Sequence, residues 1–294
     1  MKILDGKIVA QAVKDELGSA IIKLKEKGLR IPHLAAILIG NNGASETYVA
    51  NKIRSCEETG FKNTLIRLKE DVTEEVLTAT IHDLNERNEI DGILVQLPLP
   101  SHISEDRIIS VINPEKDIDG FHPLNAGRLM QGLPTFVPAT PLGIMLLLEY
   151  YQIDTRGKHA VVIGRSNIVG RPMSVLLSQN IPAGNCTVTL CHSKTKNLAG
   201  ICRQADIIVA ALGKPGFLQA DMVKENAVVL DVGITRVKDL QKKSGYAIKG
   251  DVDFDAVSPL CSYISPVPGG VGVMTIAALL KNTFTAYNTR MKNT

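Results

Sequence analysis

The chain lacks the features that would assign it to several broad classes. Its five cysteines, at 56, 186, 191, 202 and 261, form no Cys-x-x-Cys pair. An odd, scattered set excludes a closed disulfide framework, so the thiols are expected to be reduced and mostly buried. No His/Cys/carboxylate spacing suits a metal, and none is expected. Net charge is also scarce: 33 basic against 30 acidic residues leave +3, too little to hold a nucleic acid or a membrane surface by bulk charge. No window approaches the roughly twenty apolar residues of a membrane span. Met1-Lys2-Ile3-Leu4-Asp5-Gly6 has no long apolar core of a signal peptide. A cytoplasmic protein is the expectation. Tandem repeats and low-complexity tracts are absent too. What remains, 45% hydrophobic and 21% charged over 294 residues, is a globular composition with length for one large or two medium domains.

Periodicity then orders the chain. Apolar residues recur at helical spacing from Asp5 to Lys27, with Asp5 able to cap the start and Gly28 the end. The continuous apolar run His33 to Gly40 predicts a buried strand, and helical spacing returns from Gly43 to Thr59. A strand over 62–68, a helix over 73–87 opened by Thr73 with two acids in its first turn, and a strand over 92–97 follow. Alternation of this kind predicts a parallel sheet covered on both faces. The turn-rich stretch Asn113 to Pro123 marks the edge of that sheet, a loop is expected from there to Pro141, and the domain crossing is placed near Pro141. A helix over 142–151 opens the second half, in which strands are predicted at 160–163, 187–191, 207–211, 228–232 and 246–250. Helical segments are expected at 172–179, 197–204 and 221–225. A closing helix from Thr275 to about Tyr287 is expected to return to the first domain. The fold class is therefore α/β: two α/β domains over 1–141 and 142–274, the second Rossmann-like.

The second domain is organised around Lys158-His159-Ala160-Val161-Val162-Ile163-Gly164-Arg165-Ser166-Asn167-Ile168-Val169-Gly170. Strand, glycine turn and helix form a unit that can cradle a pyrophosphate on backbone N–H groups, although the spacing departs from Gly-x-Gly-x-x-Gly and an ordinary strand-to-helix turn would read the same way. An NAD site usually ends its second strand in an acid, whereas here that strand ends Cys191-His192-Ser193-Lys194-Thr195. With Arg165 in the neighbouring turn, Ser193 and Lys194 suggest a pocket for the 2′-phosphate of NADP rather than merely solvated charges.

In the first domain Ser45, Tyr48 and Lys52 fall at i, i+3 and i+7 of one helix, and so on one face. They follow Gly40 at the carboxyl end of a strand, where open α/β sheets keep their ligands. A lysine withdrawn from water titrates closer to neutrality and can carry protons, with a phenol one turn away to orient it. Gln96 ends another strand on that edge and can bond a lysine amine or a substrate carbonyl, or cap the Pro98 turn. Asp119 lies in an Asp-Gly turn, where turn chemistry and recognition of an N–C–N edge are both open readings. Gly269-Gly270-Val271-Gly272 before the last helix is open between anion binding and a hinge.

Together these stretches resemble the bifunctional methylenetetrahydrofolate dehydrogenase/cyclohydrolase family. The likeness is carried by Ser45-x-x-Tyr48-Val49-x-x-Lys52, Val95-Gln96-Leu97-Pro98-Leu99-Pro100, Lys116-Asp117-Ile118-Asp119-Gly120-Phe121 and Gly164-Arg165-Ser166-x-x-Val169-Gly170-x-Pro172. Cys191 to Thr195, Asp231-Val232-Gly233-Ile234 and Pro268-Gly269-Gly270-Val271-Gly272 complete it, in the family's order. The resemblance implies NADP-dependent oxidation of 5,10-methylenetetrahydrofolate and hydrolysis of the methenyl product to 10-formyltetrahydrofolate. It further implies a homodimer, with a cleft between the two domains. Lys52 matches the catalytic lysine, with Tyr48 and Gln96 as partners, and Asp119 the pterin anchor. Substrate contacts extend to Ser45, Val95, Leu97, Pro268, Gly269 and Gly270. Cofactor contacts fall on Gly164, Arg165, Ser166, Val169 and Gly170, then on His192, Ser193, Gly213, Gly233 and Ile234, with Thr140 and Thr275. Two departures stand out: Ala139 where the family often has Cys, expected to matter little, and Val273 where a Pro is common.

Tyr48-x-x-x-Lys52 is also the spacing of short-chain dehydrogenases. There, however, the nucleotide turn precedes the Tyr/Lys pair, and here it follows by a whole domain. A non-enzymatic nucleotide sensor is the remaining alternative; it would keep Gly164 and Arg165 and have no need of Lys52.

Overall fold

The computed structural model describes residues 1–239, 241–242 and 245–292. Its elements run β1 (Lys2–Ile3), α1 (Gly6–Glu26), β2 (His33–Ile39), α2 (Gly43–Thr59), β3 (Lys62–Leu68), α3 (Glu74–Glu86), β4 (Gly92–Val95), α4 (Glu105–Val111), α5 (Pro123–Met130) and α6 (Ala139–Tyr150). They continue with β5 (His159–Ile163), α7 (Gly170–Ser178), β6 (Thr187–Cys191), α8 (Leu198–Cys202), β7 (Ile207–Ala210), β8 (Ala227–Asp231), β9 (Thr235–Lys238), β10 (Tyr246–Lys249), α9 (Phe254–Val257), β11 (Cys261–Ile264) and α10 (Val271–Lys292). Caps chosen by side-chain chemistry set several of the helix ends. Asp5 accepts the N–H of Lys7 at 2.8 Å before α1, and Thr73 accepts that of Val76 at 3.4 Å before α3. Gly28, at φ +67°, ends α1 in a conformation that costs glycine little.

Two compact units divide the chain. One comprises Gln11–Ala139 with Ile276–Thr294, the other Met1–Ala10 with Thr140–Thr275, so α1 and α10 each contribute to both. The first ten residues group with the second half because β1 pairs in parallel with β11, Lys2 opposite Tyr263.

In the unit containing Gln11–Ala139 the sheet is parallel with order β3-β2-β4. All seven residues of β2 are buried, which is why that strand reads as one unbroken apolar run. The other unit has a parallel sheet in the order β1-β11-β8-β7-β5-β6. In one, β3 and β4 flank β2; in the other, β6 and β7 flank β5, so in each the order reverses beside that strand. That reversal is where open α/β sheets bind ligands, outside the carboxyl ends of the strands. The relevant ends are β2 and β4 in one unit, β5 and β7 in the other.

Several sequence expectations are corrected. The strand over 246–250 does not join the large sheet; β10 forms an antiparallel hairpin with β9. Its place is taken by β11 and β1, strands of four and two residues that join the sheet by parallel pairing and show no long apolar run. The expected loop before Pro138 contains α5, since Pro123 stands at the start of a helix, where its missing N–H costs nothing, and His122 caps it. The helix expected over 221–225 is a single 3₁₀ turn, Ala220–Met222. α10 begins four residues earlier than expected and extends to Lys292.

Candidate functional site

α2 follows β2 and carries Ser45 and Lys52 inward: Ser45 is buried and Lys52 is 9% exposed. Asn42 orders the entry, its carboxamide oxygen accepting the N–H of Ser45 at 3.2 Å. Tyr48, one turn before Lys52, is 42% exposed, so its phenol is open to solvent. The Lys52 ammonium donates to Oε1 of Gln96 at 3.0 Å, while the Gln96 Nε2 donates to the carbonyl of Leu97 at 2.6 Å. The bond to the lysine and the bond to the turn therefore coexist, because an amide has a face for each. Its orientation follows: the carbonyl oxygen must face the lysine.

Burial lowers the pKa of Lys52, opposed by the nearby negative charge of Asp119. Burial pushes the Asp119 carboxyl up to about 6, with Lys52 pulling it down and Asp117 pushing it further up. An amine and a carboxyl are thus both drawn toward neutrality, the condition for proton transfer near pH 7. Asp117 holds the turn that bears Asp119. Its carboxylate accepts the N–H of His122 at 2.8 Å and of Phe121 at 3.3 Å, and the amide of Asn125 at 2.8 Å. Directly after the two acids, Gly120 at φ +70° has no room for a side chain: a Cβ would lie 2.7 Å from the nitrogen of Pro138. Asn282 completes the frame, donating to the carbonyls of Ile118 at 2.8 Å and Val137 at 2.9 Å. Neither Asn125 nor Asn282 is visible as a site residue from sequence. Lys116, by contrast, turns away and caps α3, its ammonium bonding the carbonyls of Leu84, Asn85 and Arg87.

In the second unit the glycine turn sits at the end of β5. Gly164, at φ +119°, lies so close to the end of β7 that a Cβ would fall 2.1 Å from the carbonyl oxygen of Ala211. Gly170 is required by the turn itself, since its Cβ would fall 2.0 Å from the carbonyl oxygen of Gly164. Ser166 Oγ accepts the N–H groups of Val169 and Gly170 at 3.2 and 3.3 Å, and its carbonyl takes that of Arg171. The first N–H groups of α7 are therefore satisfied internally. The Arg165 and Ser166 side chains stand exposed beside them. After β6 a second turn is built by Thr195, whose hydroxyl accepts the N–H of His192 at 2.9 Å, while His192 Nδ1 accepts that of Lys194 at 3.2 Å. Ser193 and Lys194 are left exposed on it. Thr140 and Thr275 meet with their hydroxyls 3.4 Å apart. In the Pro268-Gly269-Gly270 loop, the N–H of Gly6 donates to Gly269 and that of Gly270 to Pro266, so this glycine pair is tied down at both ends. Val273 stands in the first turn of α10 against Gly6.

All five cysteines are free and buried. Among the described residues no group of three or more His, Cys, Asp or Glu could hold a metal ion, and no helix is long and apolar enough to cross a membrane.

Comparison with known proteins bears on both units. Residues 4–119 match the tetrahydrofolate dehydrogenase/cyclohydrolase catalytic domain, and residues 138–291 match the NAD(P)-binding domain of the same family. A relative from Porphyromonas gingivalis, called bifunctional protein FolD, is 58% identical over 285 residues, covering 97% of this chain and 96% of its own. A Campylobacter jejuni crystal structure described as a bifunctional methylenetetrahydrofolate dehydrogenase/cyclohydrolase superposes with a TM-score of 0.92 at 51% identity, over 99% of each chain. A Trypanosoma brucei enzyme of the same description, complexed with NADP cofactor and inhibitor, gives a TM-score of 0.92 at 39% identity, over 98% of this chain and 97% of its own. The chain belongs to the tetrahydrofolate dehydrogenase/cyclohydrolase family.

Proposed function

We propose that the protein oxidises 5,10-methylenetetrahydrofolate to the 5,10-methenyl cation with NADP⁺ and hydrolyses that cation to 10-formyltetrahydrofolate, as a homodimer in the cytoplasm. The observation that carries the hydrolytic half is the buried Lys52 ammonium, bonded to Gln96 at 3.0 Å with Asp119 close enough to bias its charge. Family membership, and a relative named for both activities at 51% identity, carry the rest.

The residues at the carboxyl ends of β5 and β6 fit a phosphorylated dinucleotide. Arg165, Ser193 and Lys194 are exposed there, and the acid that would hold an unphosphorylated ribose is replaced by serine. When bound, NADP⁺ supplies the hydride acceptor. Arg165 and Ser193 would hold its 2′-phosphate, and Thr140 and Thr275 would lie along its bound path. Strictness for NADP over NAD then rests on the guanidinium, which matches a phosphate with two parallel hydrogen bonds.

Hydrolysis of the methenyl cation consumes one water. Its oxygen bonds to the bridging carbon, the bond from that carbon to N5 breaks, one water proton ends on N5 and the other leaves to solvent. The neutral fraction of Lys52, enlarged by burial, takes a proton from the attacking water and returns one to N5. Gln96 fixes the amine by accepting its hydrogen bond, Asp119 anchors the pterin, and Tyr48 borders the same face.

The test mixes purified protein with methylenetetrahydrofolate and NADP⁺, and follows NADPH together with methenyl absorbance. NADPH should appear and methenyl should decay. In Lys52→Gln methenyl decay should fall at least a hundredfold while NADP⁺ still binds, and unchanged decay would sink the role of Lys52.

A further inference from the structure

The carboxyl edge of the large sheet carries a pair of buried acids that the chemistry above does not use. Asp251 is fully buried. Its Oδ2 accepts the N–H groups of Leu212 at 2.5 Å and Gly213 at 2.9 Å, and its Oδ1 accepts that of Lys214 at 2.7 Å. Three consecutive backbone donors turned to one point form a nest of the kind that binds free anions. Here the protein's own carboxylate fills it. The nest is the loop leaving β7, next to the glycine turn at the end of β5.

The same residue is tied to the next loop. The N–H of Asp251 donates to Asp231 Oδ1 at 2.8 Å and that of Val252 to Asp231 Oδ2 at 3.0 Å. Asp231, the last residue of β8, also accepts the N–H of Gly233 at 2.9 Å, and its own N–H donates to Ser265 Oγ at 2.8 Å. Two glycines record how closely this pair is packed. A Cβ on Gly233 would lie 2.4 Å from Asp251 Oδ1, and one on Gly250 would lie 1.9 Å from Asp231 Oδ2. Each acid thus takes three backbone N–H groups, and together they join the loop of Gly213 to the loop of Gly233 and Ile234.

We infer that Asp251 is a positioning residue for the dinucleotide, setting the loop after β7 directly and the loop after β8 through Asp231. The inference rests on the proposed NADP site, of which Gly213, Gly233 and Ile234 are the cofactor contacts that the family resemblance implies. Charge-assisted bonds to backbone N–H are the strong kind, and a carboxamide can replace only one of the two oxygens, turning an NH₂ group toward the remaining donors.

The experiment compares wild type, Asp251→Asn and Ser265→Ala for NADP⁺ affinity by calorimetry, dehydrogenase KM for NADP⁺, and methenyl hydrolysis, which consumes no nucleotide. For Asp251→Asn, Kd and KM for NADP⁺ are expected to rise at least tenfold, while kcat/KM for hydrolysis falls less than threefold. Ser265→Ala keeps both acids and removes only a partner of Asp231, so a rise of two- to fivefold in the same constants is expected. It alone decides if Asp251→Asn does not fold. NADP⁺ affinity within error of wild type in a folded variant overturns the inference, and so does an equal loss of both activities, which a purely structural role would give. Wild-type protein that binds NADP⁺ without turning over the methenyl cation would instead sink the proposed reaction, and the Kd comparison would still be readable.

Discussion

Asp119 illustrates what a buried acid costs the fold. Its carboxyl is pushed up to about 6, chiefly because burial penalises the charged form. An acid whose pKa is raised on folding contributes its stability while protonated, below its ordinary value near 4. That contribution is lost as the pH rises through about 6. At pH 8 the ionised side chain therefore works against the native state, by up to about 3 kcal/mol for a shift of roughly two units. Asp119→Asn removes the charge and keeps the shape. It should melt above wild type at pH 8, with the difference vanishing below pH 4, while folate turnover falls. A variant that melts below wild type at pH 8 would contradict the desolvation account. The same charge helps to hold Lys52 protonated, so the two residues are matched, each limiting how far the other's titration moves.

The contribution of whole elements is clearest in α10, whose Asn282 reaches two carbonyls more than a hundred residues away in sequence. Those carbonyls flank the Asp119 turn. Asn282→Ala should cost about 1–3 kcal/mol, the usual penalty for buried acceptors left unpaired. It should also lower methenyl hydrolysis while leaving KM for NADP⁺ near wild type; loss of stability with full hydrolysis would reduce Asn282 to a packing residue. No pattern in the sequence announces such a contact, because it depends on tertiary approach and not on period. Lys52 and Gln96 could be singled out for the opposite reason: one shares a helix face with Ser45 and Tyr48 just after an apolar strand, and the other directly follows one. The β10 segment has strand chemistry like its neighbours, but composition does not name a strand's partner, so its hairpin with β9 was not legible. A device shared by the two units was hidden as well. His33 and His159 open β2 and β5, each giving its N–H to an aspartate before the third strand, Asp91 or Asp206. Each also meets, through Nε2, a threonine of the second strand, Thr64 at 2.8 Å or Thr189 at 2.9 Å. The aspartates in turn pair with Arg30 and Lys224. The separations, 58 and 47 residues, differ enough that no sequence period reveals the correspondence.

Over the whole molecule, the groups proposed for the two half-reactions fall in different compact units. Lys52, Gln96 and Asp119 lie within Gln11–Ala139, whereas Arg165, Ser193 and the loops pinned by Asp251 lie within Thr140–Thr275. Substitutions should therefore separate the activities in both directions. Arg165→Ala removes the bidentate partner proposed for the 2′-phosphate, and charge-assisted bonds of that kind are worth roughly 1.5–3 kcal/mol, or about one to two powers of ten in affinity. The expected result is a ten- to hundredfold rise in KM for NADP⁺, little change with NAD⁺, and methenyl hydrolysis close to wild type. Lys52→Gln should give the mirror image, with NADP⁺ affinity kept and hydrolysis lost. Equal losses with NADP⁺ and NAD⁺ in Arg165→Ala would mean that the guanidinium supports the turn rather than reading the phosphate. Loss of hydrolysis in that same variant would mean that the nucleotide turn also shapes the site of water attack, and the division of labour between the units would fail.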